Sequence, residues 1–196
     1  DAQESRGLGD VYKRQILERA IDGPNTDIYG NMYRRPSELV EYAQSHPSKP
    51  YILVEYAHAM GNSQGCMTDY MDLFHTYSVL QGGFIWDFVD QAQYMQKPDG
   101  TIVRGYGGDW NDYDPSDNNF CDNGLFDCTR MPKPNAVEAK YAYQPVLTTM
   151  EGGLSLGRVT LLIKNDNDFR PLDYLSLNYA ITVDGQEVQS RSMACP

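Results

Sequence analysis

The sequence predicts two architectures in succession, α/β and then all-β. Between residues 26 and 86, short apolar runs alternate with stretches of helical period, in the order strand, helix, strand, helix, strand. That order implies right-handed crossovers between parallel strands. Further on, Leu175, Leu177, Tyr179, Ile181 and Val183 alternate strictly with Ser176, Asn178, Ala180 and Thr182. Such alternation marks a half-buried antiparallel strand, the start of a β-sandwich.

Each element has its own justification. The first fifteen residues, D-A-Q-E-S-R-G-L-G-D-V-Y-K-R-Q, show no apolar periodicity. They read as a non-native leader and are set aside from the fold. Thr26 to Tyr33, T-D-I-Y-G-N-M-Y, reads as a short strand. Pro36-Ser37 then opens a helix carrying Leu39, Val40 and Ala43, and Pro47 and Pro50 end it. Tyr51-Ile52-Leu53-Val54 is a partly β-branched apolar run, the mark of a strand buried in a parallel sheet. It ends in a carboxylate, Glu55, with His58 three residues later and Gly61-Asn62-Ser63 as a breaker. Ser63 is a good N-cap for a helix whose apolar face is Cys66, Met67, Tyr70, Met71, Phe74 and Tyr77. Gly82-Gly83 stops that helix, and Phe84-Ile85-Trp86 begins another buried strand.

From Asp90 to about Lys140 the chain is rich in Gly, Asn, Asp, Pro and aromatics and has little periodicity. A structureless loop of that length is normally functional. Val159 to Ile163 supplies a further strand. Asp184-Gly185 is a tight hairpin turn, and Glu187 to Met193 is the return strand. Cys195-Pro196 follows directly, and both ends of the sequence are expected to be cut.

Composition narrows the partners. The chain has 196 residues, with 27 acidic against 16 basic residues and a net charge of -11. Nucleic acids and anionic membranes are excluded as partners, because both need a basic footprint. A neutral substrate suits this balance better than an anionic one. No stretch approaches the roughly 18 apolar residues of a membrane-spanning helix. Cys66, Cys121, Cys128 and Cys195 form no C-x-x-C pair and read as scattered reduced thiols.

On the residues alone, Glu55 is equally a strand-terminal salt-bridge partner or an active-site carboxylate at the end of a parallel strand. A resemblance decides between them. I-L-V-E-Y-A-H-A-M-G-N-S resembles the nucleophile strand of the large β-galactosidases of glycoside hydrolase family 2, more distantly related to β-glucuronidases and β-mannosidases. G-G-F-I-W-D-F-V-D-Q (Gly82 to Gln91) and F-C-D-N-G-L (Phe120 to Leu125) match further blocks in the same order. The resemblance implies a retaining enzyme that cleaves terminal β-galactosyl residues. It also implies that residues 16–140 are the last three β/α units of a TIM (β/α)8 barrel, because three strands cannot close a barrel of eight. Residues 146–196 would then begin an immunoglobulin-like β-sandwich, and the sequence would be a fragment, inactive alone, of a homo-oligomeric enzyme.

The same resemblance assigns roles. Glu55 is the nucleophile, and Tyr33 hydrogen-bonds it, although a core aromatic among fifteen tyrosines is the plainer reading of Tyr33 alone. His58 binds sugar hydroxyls and stabilises the transition state. Trp86 is the platform against which galactose packs, an apolar C–H face on an indole; otherwise it is a core tryptophan between Phe84 and Phe88. Phe120, through its carbonyl, and Asn123, through its side-chain oxygen, would be sodium ligands. A turn asparagine before Gly124 is an equal alternative, and Asp117 would orient that loop. Asp87 and Asp90 are read as structural or solvated carboxylates. The acid/base glutamate belongs to an Asn-Glu pair that does not occur in the sequence. Magnesium is expected in the intact enzyme, with ligands outside this chain. The alternatives are a β-glucuronidase, a β-mannosidase or a non-catalytic carbohydrate-binding module.

Overall fold

The computed structural model describes residues 14–20, 24–116, 118–155 and 158–195. The chain divides after Tyr143 into two compact units.

The first unit is built on a parallel sheet of four strands in sequential order: β1 (Ile16–Glu18), β2 (Ile28–Met32), β3 (Tyr51–Tyr56) and β4 (Leu80–Ile85). Three strands were expected here. The fourth, β1, pairs Ile16 with Ile28 in parallel, and at three residues it is too short to show a period. Helix α1 (Pro36–Gln44) crosses from β2 to β3, and α2 (Met67–Thr76) from β3 to β4. Pro36 occupies the first turn of α1, where its missing N–H costs nothing. The Glu38 carboxylate accepts the Arg35 N–H at 2.8 Å, covering an otherwise open donor at that helix end.

The core lies between the sheet and these helices. Tyr51, Leu53 and Tyr56 of β3 are buried, as are Leu39 of α1, Met67 at the start of α2, and Leu80 of β4. Tyr29 stacks on Tyr42 at 4.9 Å, and both rings meet the Tyr51 ring edge-on. These rings fix α1 against β2 and β3.

Two boundaries differ from the expected ones. The residue before α2 is Cys66, in a left-handed conformation (φ 57°), rather than Ser63. The Ser63 hydroxyl instead donates to the His58 carbonyl at 2.7 Å and ties down the loop after β3. Gly82 and Gly83 lie inside β4 instead of ending a helix. A Cβ on Gly83 would stand 2.8 Å from the Cβ of Leu53, so only glycine lets the two strands pack here.

The expected structureless loop is also partly ordered. It contains an antiparallel hairpin, β5 (Gln93–Gln96) and β6 (Ile102–Gly105), and the helix α3 (Pro134–Ala142).

The second unit consists of two antiparallel hairpins. Strands β7 (Val146–Ser155) and β8 (Arg158–Asn165) form one, and β9 (Ser176–Val183) and β10 (Gln186–Ala194) the other. The turn between β9 and β10 has positive φ at both central residues, Asp184 (49°) and Gly185 (79°). That geometry matches the twist of a two-residue hairpin.

Candidate active site

The candidate residues gather where the parallel strands end. In β/α folds this is the edge where side chains escape the sheet without losing its rigidity. Glu55 is the penultimate residue of β3. Between Leu53 and the end of the strand, β3 carries one more residue than either neighbour. Leu53 and Glu55 oppose the consecutive Asn31 and Met32 on one side, and Leu53 and Tyr56 oppose Gly83 and Ile85 on the other. Such a bulge reverses the alternation locally and re-aims the side chains beyond it. It lets Tyr56 return to the buried helix side while Glu55 turns towards Tyr33.

Tyr33 follows β2 directly, with φ 52°, and its N–H donates to the Glu55 carbonyl at 2.9 Å. The Glu55 carboxylate lies near its hydroxyl. Burial first, then the neighbouring Glu55 carboxylate and the charge of Asp87, push the phenol well above its ordinary range. Tyr33 is therefore a neutral donor at any physiological pH. The His58 ring meets the Tyr33 ring edge-on at 5.7 Å and lies 6.1 Å from the Phe120 ring. Tyr33, Glu55, His58 and Phe120 thus form one cluster.

Trp86 comes immediately after β4. Its N–H donates to the Tyr56 carbonyl at 3.0 Å, and its carbonyl accepts the Ala59 N–H at 3.1 Å. The peptide from Trp86 to Asp87 is cis. Beyond it, residues 87–91 are laced to residues 121–126. Asp87 N–H donates to the Asn123 carbonyl at 2.9 Å, Leu125 N–H to the Asp87 carbonyl at 3.0 Å, and Gln91 N–H to the Cys121 carbonyl at 2.9 Å. Asn123 is completely buried, and neither its Oδ1 nor its Nδ2 has a partner among the described residues. A buried amide normally finds partners, and these two orphaned atoms are what a bound group would satisfy. A hard cation prefers oxygen donors of this kind. The Asn123 side-chain oxygen and the Phe120 carbonyl are therefore chemically suited to sodium. Among the described residues, no three His, Cys, Asp or Glu side chains converge on a common point. Asp117 lies outside the described residues.

Two features escaped sequence reasoning. One is the β3 bulge, since an apolar run does not reveal an extra residue. The other is an ion pair between a buried and a half-buried group: Asp90, whose side chain is 2% exposed, meets Lys133 Nζ at 2.7 Å. The partners stand 43 positions apart, and no motif between them announces the pair.

Comparison with known proteins adds the decisive observation. The profile of the family described as "Glycosyl hydrolases family 2, TIM barrel domain" matches residues 10–148. The chain belongs to glycosyl hydrolase family 2. Its family 2 relatives include a β-galactosidase of Priestia megaterium, 40% identical over 167 residues, which are 85% of this chain and 16% of the relative. A β-galactosidase of Clostridium acetobutylicum is 45% identical over 159 residues, 81% of this chain and 17% of the relative. A β-galactosidase large subunit of Leuconostoc lactis is 45% identical over 137 residues, 69% of this chain and 21% of the relative. The chain thus spans about a sixth of the length of the first two relatives.

Proposed function

We infer that this chain supplies the nucleophile side of a retaining β-galactosidase. The placing of Glu55 at the bulged end of β3, with the Tyr33 N–H hydrogen-bonded to its carbonyl at 2.9 Å and the His58 ring beside Tyr33, carries the reading. The names of the relatives favour a galactoside over a glucuronide or a mannoside. The parallel sheet belongs to a (β/α)8 barrel, and the two hairpins after Tyr143 open a β-sandwich.

In this mechanism the Glu55 carboxylate attacks the anomeric carbon and forms a glycosyl ester as the bond to the leaving oxygen breaks. That oxygen takes its proton from an acid/base carboxyl contributed from outside this chain. Water, deprotonated by the same group, then cleaves the ester with a second inversion. Tyr33 donates to Glu55 and holds the attacking oxygen in place. His58, braced between Tyr33 and Phe120, binds sugar hydroxyls, and Trp86 receives the apolar sugar face. Asn123 and the Phe120 carbonyl would hold a sodium ion, which would supply a positive charge to a sugar hydroxyl. Asp90 is committed to Lys133 and has no part in proton transfer.

The test uses a host that supplies the remainder of the barrel: the Clostridium acetobutylicum relative, with residues 16–143 of this chain exchanged for its matching segment. A 2-fluorogalactoside that accumulates the glycosyl ester should label the peptide containing Glu55. Label on Asp87 or Asp90 would overturn the assignment.

A further inference from the structure

We propose that the Asp90–Lys133 ion pair is the positioning device for the cation-binding loop, gripping Asn123 by the peptide groups on either side of it. This rests on the reading of Asn123 and Phe120 as oxygen donors to sodium. Lys133 Nζ donates to the Asp122 carbonyl at 3.1 Å, just before Asn123. Asp90 Oδ1 accepts the Gly124 N–H at 2.8 Å, just after it. The same Oδ1 takes the Lys133 ammonium at 2.7 Å. One carboxylate oxygen and one ammonium therefore bracket a single residue whose own side chain has no partner among the described residues.

The bracket is tight. A Cβ on Gly124 would come within 2.2 Å of the Asp90 nitrogen and 2.4 Å of the Val89 carbonyl carbon, so the loop lies flat on the segment after β4. Lys133 is anchored in turn, its N–H donating to the Leu125 carbonyl at 2.9 Å. Asp90 is anchored by its own N–H to the Phe126 carbonyl at 2.9 Å. With Asp90 buried and Lys133 half-buried, desolvation of the carboxylate offsets much of the attraction, so the pair is a weak source of stability. Fixing the geometry of a weak ion site is a better account of this one. Sodium offers little binding free energy with which to reorganise a loose loop, so its donors must be placed beforehand. Asp90 and Lys133 touch neither the ion nor the sugar, and they act through Asn123.

The experiment compares the exchanged host enzyme with its Lys133→Met, Lys133→Arg and Asp90→Asn/Lys133→Met variants. The double variant removes both charges, so no unpaired carboxylate is left buried if Lys133→Met alone folds poorly. Sodium binding is read by sodium-23 line broadening and, separately, by the sodium dependence of KM for a chromogenic galactoside. We expect the sodium midpoint to rise about tenfold or more in the double variant, with kcat at saturating sodium within about threefold of the parent, and Lys133→Arg to restore most of the affinity. A lowered Tm with an unmoved sodium midpoint would reduce the pair to a structural role and overturn the proposal. An unsubstituted enzyme that turns over galactoside but neither broadens the sodium line nor responds to sodium would overturn the cation assignment, and the proposal with it. A folded enzyme that binds sodium without turnover would instead overturn the catalytic reading, and line broadening would still decide the role of the pair.

Discussion

Gly124→Ala should be among the most damaging single-methyl changes in this chain. The added Cβ would lie 2.2 Å from the Asp90 nitrogen, 2.4 Å from the Val89 carbonyl carbon and 2.7 Å from the Phe126 carbonyl oxygen. All three are backbone atoms, so no side chain can rotate away. Relief requires the loop to move by roughly 1 Å, an overpacking cost of about 1–3 kcal/mol. The same movement stretches the Gly124 N–H bond to the buried Asp90 carboxylate, a charged hydrogen bond contributing about 1.5–3 kcal/mol. The two are coupled, so the expected loss of stability is about 3–5 kcal/mol. Asn123 is displaced with the loop, and a misplacement of that size costs about a hundredfold in turnover. The control is Gly65→Ala, because a Cβ there meets nothing within 4 Å. It should fall within about 0.5 kcal/mol of the parent. Thermal melts and galactoside turnover of both variants in the exchanged host decide the matter. If Gly124→Ala matched Gly65→Ala in both, the close packing of the loop and the role of Asn123 would both be wrong.

Other outcomes follow from the same geometry. Glu55→Gln should lower turnover at least about a thousandfold, near 4 kcal/mol of barrier, without weakening galactoside binding to the same degree. Replacing Trp86 or His58 should weaken inhibition by galactose-like transition-state analogues and leave dependence on the aglycone unchanged; normal inhibition in both variants would return Trp86 to a packing role. The Asp127 carboxyl is lowered from 3.8 to about 2, first by the Thr129 hydroxyl and then by the N–H groups of Met131 and Thr129 and the charge of Arg104. Its pKa is depressed by folding, so its contribution to stability is complete above about pH 4 and disappears as the pH falls through about 2. A carboxyl carbon-13 titration of Asp127 with a midpoint near 4 would refute that. Finally, the 196-residue chain expressed by itself should show no sharp denaturant transition. Strands β1 and β4 are the two edges of an open parallel sheet, and Phe84 within β4 and Phe88 just after it are 66% and 67% exposed. A cooperative transition with native-like near-ultraviolet dichroism would count against this.

What could be read beforehand depended on whether a feature is local. Glu55 ends an apolar run within a few residues, and hydrophobicity alone marks the strand and its terminus. Helix α1 announces itself through Pro36 and its apolar spacing. The turn at Asp184-Gly185 does so because few residue pairs accept positive φ twice in succession. Glycine was ambiguous for a physical reason: the same absence of a side chain ends helices and admits close strand packing. Only the neighbour reveals which applies, and for Gly83 that neighbour is Leu53, thirty residues earlier. Ser63 misled because its hydroxyl serves the His58 carbonyl, so the helix waits for Cys66 to turn the chain. The hairpin of β5 and β6 was missed although Pro98-Asp99-Gly100 is a turn signal, because four-residue strands are too short for alternation to register.

The site divides along the same line. Residues that meet the substrate in the proposed mechanism sit in short motifs, at or just after a strand end for Tyr33, Glu55, His58 and Trp86. The groups that hold them follow no such rule. The β3 bulge shows only in its register against β2 and β4. Asp90 finds Lys133 forty-three positions away. A positioning group needs only the right charge in the right place, and the fold can deliver that from any element that passes nearby. Asn123 joins the two classes. Its peptide is held by the distant pair, while its side chain, without a partner among the described residues, is the donor of the proposed ion site, so the sequence exposes the donor and conceals what aims it.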